Sequence, residues 1–503
     1  MSIINGVALR MKKGTALSSA AACCAVMLAL AGAAPALAEP ATAEGARKLT
    51  ETFQSYIGPV PFEKGFITIA PKDDGYDVTL SFDGSKLDKD KDKDKGKGVG
   101  EVARINPYIV RLTPQPDGRW AVKSGPAPIA VAWSREWEGS TETGSLNFAA
   151  CASQGVFAPK LMSFETLVAG CDGSTAAVRN HDADVDLSTG KFGFQTTSKA
   201  DEADGVDVKF DSKLEGLKGK VQDKKDRQFP VAFELASGQQ TLSATGMRFA
   251  AIYDLVAFLR DHPSKGEIVL AQEELKTKLR TALPFWREVA STSSIEGLGV
   301  NLPFGQVKLA KATQAYSLTG LVKQGYYSDA LNYSGLVIPE VIVPEWARSL
   351  IPAEANYSTK LSLNGLDGMA DVLIRGLDAT QDPPFSKMMA VALMTRLLDG
   401  DLNYKLDFNV AAPAYTLKGD GSAAVNPEPT ASLAVAATGF DAVLEGLSKA
   451  DAEDARKAVF FLSFVKGLAK EEGNGQLVWN VSYDIVTHSV KVNDQVFRLP
   501  QPD

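Results

Sequence analysis

The chain has 503 residues, 45% hydrophobic and 23% charged, and is punctuated by 43 glycines and 25 prolines. That is the make-up of a folded protein long enough for two or three domains or one large elongated one. A net charge of -8 leaves no basic surplus to neutralise phosphates, which argues against nucleic acid as a partner.

Arg10, Lys12 and Lys13 precede an Ala/Leu-rich apolar stretch at 16–33, and Ala36-Leu37-Ala38 supplies a small-residue cleavage site before Glu39. Together they read as a signal peptide over residues 1–38, which places the mature chain in the periplasm. No later segment has the uninterrupted apolar length of a membrane-spanning helix, so the cleaved protein is not expected to be integral to a membrane. Cys151 and Cys171 are then the remaining cysteines. In an oxidising compartment, without CxxC spacing, they read as a structural disulfide worth about 3 kcal/mol.

Residues 44–57 place Ala46, Leu49, Phe53 and Ile57 at helical spacing. Alternating runs at 66–70 and 76–82 flank Asp74-Gly75 as a hairpin, and short strands follow at 108–112, 120–123, 129–133, 146–150, 192–195, 206–210 and 231–235. Helical spacing takes over at 248–260 and 267–289, with Pro263 between them and Pro284 as a kink or end. Strand patterns return from 306 to 338, and later at 403–418, 476–483 and 489–497. Helices are predicted at 384–398 and 451–470.

One unit recurs along the chain: an alternating run, a polar-Gly-apolar triplet, then an amphipathic helix. It is seen at Thr245-Gly246-Met247, Asn364-Gly365-Leu366 and Thr438-Gly439-Phe440, while Gly320 and Gly335 carry the triplet without a helix after it. Glycine suits a chain that turns off a strand, through positive φ or close backbone approach, and Asp367 and Asp441 are placed to cap the helices that follow. The fold class expected is α+β: mainly antiparallel, curled β-sheets with helices packed on the concave face. The expected divisions are a β-rich region at 39–242, a helical hairpin at 243–300 and a strand-Gly-helix region at 301–503.

Asp90, Asp92, Asp94 and Glu101 stand at positions 1, 3, 5 and 12 of a calcium loop, but Lys95 occupies the position that needs glycine. A Lys/Asp run of this kind also reads as a solvated loop, as alternating Asp182, Asp184 and Asp186 read as the wet side of a strand. His181, His262 and His488 share no metal-ligand spacing, and no GxSxG, Rossmann or P-loop motif is present. The dense apolar runs 336–346 and 459–465 supply candidates for a hydrophobic ligand: Val343, Trp346, Phe460, Phe461 and Phe464. Filling the core is the commoner fate of such runs.

Gly439-Phe440-Asp441, the helix after it, Gly473-Asn-Gly-Gln-Leu-Val-Trp479 and Val490-Lys-Val-Asn-Asp494 resemble the C-terminal part of a family of uncharacterised alphaproteobacterial periplasmic proteins, a domain of unknown function. Leu318-Thr-Gly-Leu and Trp346-Ala-Arg-Ser-Leu-Ile-Pro352 are similar to it as well. The resemblance implies an elongated, β-rich envelope protein and brings no catalytic residues. The function expected is therefore a non-enzymatic envelope protein binding lipid, another hydrophobic ligand or an envelope partner in a sheet–helix groove. A secreted hydrolase, motivated by address and size, is the alternative.

Overall fold

A computed structural model describes residues 41–86, 102–137, 140–202, 205–224, 230–399, 402–426, 429–451, 453–484 and 487–498. The proposed signal peptide and the Asp90–Glu101 loop lie outside the described residues.

The first helix, α1 (Ala43–Ile57), begins where Thr42 accepts a hydrogen bond from the Gly45 amide at 3.0 Å. It buries Ala46, Leu49 and Phe53, as the spacing predicts. After the single turn α2 (Val60–Glu63), the described strands all join one antiparallel sheet. β1 (Ile67–Lys72), β2 (Gly75–Asp83), β3 (Val102–Pro114), β4 (Trp120–Trp137) and β5 (Ser140–Ala158) pair in order. β5 then meets β6 (Ser163–Cys171) along one half and β7 (Gly173–Arg179) along the other. β8 (Ala183–Thr189) pairs with β7, β9 (Phe192–Ala200) pairs with β6, and both lie against β10 (Val206–Asp223).

Neighbours in sequence pair again through β11 (Val231–Met247), β12 (Glu288–Leu302), β13 (Gly305–Thr319), β14 (Gln324–Val337) and β15 (Glu354–Asn364). The same holds for β16 (Asn403–Ala411), β17 (Thr416–Ala424) and β18 (Thr430–Thr438). The short β19 (Lys470–Glu472) and β18 both pair with β20 (Gln476–Asp484), and β21 (Ser489–Val492) and β22 (Gln495–Arg498) close the sheet. Helices enter between strands: α3 (Phe249–Asp261), α4 (Lys265–Leu270) and α5 (Gln272–Ala282) after β11, α6 (Leu366–Gly376) and α7 (Lys387–Asp399) after β15, α8 (Phe440–Ser448) and α9 (Glu453–Gly467) after β18.

Directly opposed residues of an antiparallel pair point to one face. A single row therefore runs from Tyr76 through Leu112, Val122, Gly155, Leu167, Thr196, Phe210 and Leu242, and onward through Tyr316 and Leu406 to Val481. At its start this face packs on α1, with Phe53, Leu112, Trp120 and Phe157 at the centre of the core. At its end the same face holds a second, smaller core of Ala437, Leu477 and Trp479, against which Phe440 and Val465 pack. The helices at both ends therefore share the apolar side of the sheet.

The long strands are creased. Gly216, Gly297 and Gly335, in β10, β12 and β14, have φ of 63°, 66° and 69° and stand level with unpaired Ala236 and Ala310 of β11 and β13. Across this line the exposed positions change parity: Glu234 and Ala236 on one side, Gln239 and Thr241 on the other. A left-handed residue supplies the half-step in the pleat. Gly335 thus serves the crease. Gly125-Pro126 interrupts β4 in a like manner, which is why the runs 120–123 and 129–133 read as separate strands yet form one. Cys151 of β5 and Cys171 of β6 form a disulfide, S–S 2.09 Å.

Other expectations shift in detail. The second helix of the hairpin stops at Ala282, not residue 289, and the region 243–300 takes in nearly all of β12. Its serine- and threonine-rich alternation, Ser291-Thr-Ser-Ser294, carries too few apolar residues to announce a strand. The first hairpin turns at Asp73-Asp74, one residue earlier than predicted, with Asp73 at φ 50°. Gly246, Gly365 and Gly439 are left-handed as expected, whereas Gly320 is needed for close approach, since a Cβ there would lie 2.0 Å from the Trp286 carbonyl oxygen. Gly365 and Gly439 are themselves the N-cap residues, so Asp367 and Asp441 sit in the first helical turn instead of capping it. There they complement the helix dipole.

Candidate functional site

The two apolar runs singled out by sequence are bridged by helix α8, which touches the connection that carries the first and the helix that carries the second. Trp346 lies in a 3-10 segment, Glu345–Leu350, and Val343 ends the turn before it. Arg348 ties this connection together, pairing with Glu340 at 3.0 Å. Helix α8 packs directly on it, for a Cβ on Gly446 would stand 3.1 Å from both the Trp346 carbonyl oxygen and the Leu350 side chain. α9 follows and is fixed in rotation: Trp479 Nε1 donates to the Val465 carbonyl at 2.7 Å, and Lys466 pairs with Asp441 of α8.

That rotation decides the fate of the phenylalanines. Val465 faces the sheet, while Phe460, Phe461 and Phe464 are 80%, 62% and 56% exposed. They neither fill the core nor line a groove between α9 and the sheet, because the run 459–465 goes nearly twice round the helix and one sheet face covers only part of that circumference.

The apolar face itself offers a broader surface. Strands β13 to β16 belong to neither core, and on them Tyr327, Tyr357 and Tyr404 are 46%, 38% and 38% exposed. One row there reads Leu331, Tyr357 and Phe408, while the adjacent row, on the other face, reads Asn332, Asn356 and Asn409. Tyr357 donates its hydroxyl to Asp329 at 2.6 Å, and Gln314 Nε2 donates to the same carboxylate at 3.3 Å. The bond to Asp329 holds the Tyr357 phenol above its ordinary pKa. These tyrosines were not singled out by sequence, although the alternation of Tyr327-Ser-Asp329-Ala-Leu331-Asn-Tyr333 already places Tyr327, Asp329, Leu331 and Tyr333 on one side.

A depression of about 380 Å³ opens on the opposite, polar face, lined by Asn356, Asp407, Asn409, Lys418 and Asp420 over Ala434 and Ala436. A smaller cavity of about 240 Å³ lies between α5 and α6, where Arg280, Asp367 and Asp371 surround Ala370 and Ile374. Asp184 and Asp186 lie on β8 and pair with Lys224 and Arg179, as a strand's wet side does. Among the described residues no three His, Cys, Asp or Glu side chains gather as a metal site. His262 sits at the C-terminus of α3, its Nδ1 2.8 Å from the Phe258 carbonyl and its ring stacked on Phe258, which is a capping role. His181 precedes β8 and His488 precedes β21, in separate turns.

No family model, curated protein or solved structure matches this chain. Among the described residues no helix is long and apolar enough to cross a membrane.

Proposed function

We propose that this is a non-enzymatic envelope protein of the periplasm that binds a hydrophobic ligand on the uncovered part of its apolar sheet face. The observation that carries the reading is the stretch of that face on β13 to β16, with three exposed tyrosines, between the helix-covered ends. Apolar sheet surface left open in this way is a binding surface for something apolar. The reading takes the side shared by α1 and α9 as the inner, concave side of a curled sheet, which would make β13 to β16 the floor of a groove. Val343 and Trp346, beside α8, would stand at one rim of it.

Native mass spectrometry with lipid extraction, on protein purified from its own periplasm, tests the reading. The expected result is a co-purifying lipid mass that Tyr357→Ala and Trp346→Ala each diminish. Protein that carries no bound mass, and takes up none when offered extracted envelope lipid, would overturn it.

A further inference from the structure

On strands β13 to β18 and β20 of the apolar face, Asp329 is the sole charged side chain among the described residues. Its surroundings are aromatic. Tyr316 is directly opposite on β13, Tyr327 precedes it by two residues on the same side of β14, and Tyr357 of β15 donates a hydrogen bond to it. Both hydrogen bonds it accepts, from Tyr357 and Gln314, come from neutral groups, and no ion pair is formed by Asp329 among the described residues. Lys360 stands opposite Ser328, next to Asp329 in the ladder, but points to the other face, 4.6 Å from the Tyr326 ring centre.

A carboxylate alone on an apolar surface is costly unless a cation meets it. Tyrosine rings around an anionic centre form the surroundings that attract an organic ammonium, which takes Coulombic attraction from the carboxylate and cation–π attraction from the ring faces. A hydrated metal ion is served poorly by a single carboxylate flanked by rings. Beside the charge, Leu331, Leu361, Leu406 and Phe408 continue the same face and provide a track for a chain.

We infer that Asp329, with Tyr316, Tyr327 and Tyr357, selects an amphiphile with an ammonium head, whose hydrocarbon chain lies along the leucines and Phe408. This rests on the reading of the face as a ligand site and narrows it to one class of ligand. Calorimetric titration of the periplasm-purified chain with dodecylammonium and with uncharged dodecyl maltoside, both below their micelle concentrations, tests it. Dodecylammonium is expected to bind about tenfold more tightly, the ratio that one charge-assisted contact supplies. Asp329→Asn should remove that ratio, and Tyr357→Phe, which keeps both ring and carboxylate, should retain it. If Asp329→Asn does not fold, Tyr327→Leu serves in its place and should weaken dodecylammonium alone. Equal affinity for the two amphiphiles in the wild-type protein overturns the inference while leaving the face a hydrophobic site. Failure of both to bind overturns the inference and the functional reading together.

Discussion

Helices α1 and α9 are both fifteen residues long and lie on the same face of the sheet at its two ends, yet they spend their apolar side chains in opposite ways. α1 has few, at helical spacing, and buries Ala46, Leu49 and Phe53. α9 has a dense run, 459–465, and leaves three phenylalanines outside. Richness in apolar residues therefore does not measure burial. What decides is whether they fall within the arc that a flat partner can cover.

The largest effect expected from this contrast is at Phe53 of α1, which is 1% exposed. Phe53→Ala should cost about 3–5 kcal/mol in denaturant unfolding, because it leaves a cavity among Leu112, Trp120 and Phe157. Next is the Cys151–Cys171 disulfide between β5 and β6. Cys151→Ser with Cys171→Ser should cost about 3 kcal/mol for its closed loop, read by the same titration against the oxidised wild type.

The glycines that open α8 and α6 separate two causes of strain. Gly439→Ala should cost about 1–3 kcal/mol, since φ is 69° and a Cβ would stand 2.0 Å from the Ala414 carbonyl oxygen. Gly365→Ala, at φ 80° in open space, should cost about 1 kcal/mol.

A smaller, pH-dependent contribution belongs to the α1 end. Burial pushes the Asp77 pKa up, but hydrogen bonds from Arg111, at 2.9 Å, and Lys72 outweigh this and hold it below its ordinary value. A lowered folded-state pKa means stabilisation fully present above the unfolded value of about 3.9 and lost as pH falls through the folded one. Stability measured between pH 5 and 2 should fall less steeply in Asp77→Asn than in the wild type. The smallest effect is at the other end: Phe461→Ser should change unfolding free energy by less than about 0.5 kcal/mol. A loss of several kcal/mol there would mean that α9 buries this ring and that the contrast between the ends is false.

Much of the fold was legible because it depends on local periodicity. Residues 44–57 spelled an amphipathic helix, Cys151 and Cys171 a disulfide, and the triplets at Gly246, Gly365 and Gly439 a turn from strand to helix. β12 was not legible, because alternation among Ser and Thr offers no apolar signal. The long span of β4 was hidden by the break at Gly125-Pro126. The candidate site was legible only as a list of apolar runs. Phe460, Phe461 and Phe464 were named, while Tyr327, Asp329 and Tyr357 were not, since they lie on two strands and meet through register alone.

The sequence by itself determined the class of the molecule, a β-rich α+β chain with glycine-hinged helices, because period, turn chemistry and capping act over a few residues. Only the tertiary structure decided which residues share a face, since that depends on the pairing register across many strands and on the phase slip at Gly216, Gly297 and Gly335. The same register placed α1 and α9 on one side of the sheet. It also set a lone carboxylate among tyrosines on the apolar side, an arrangement no stretch of residues contains alone.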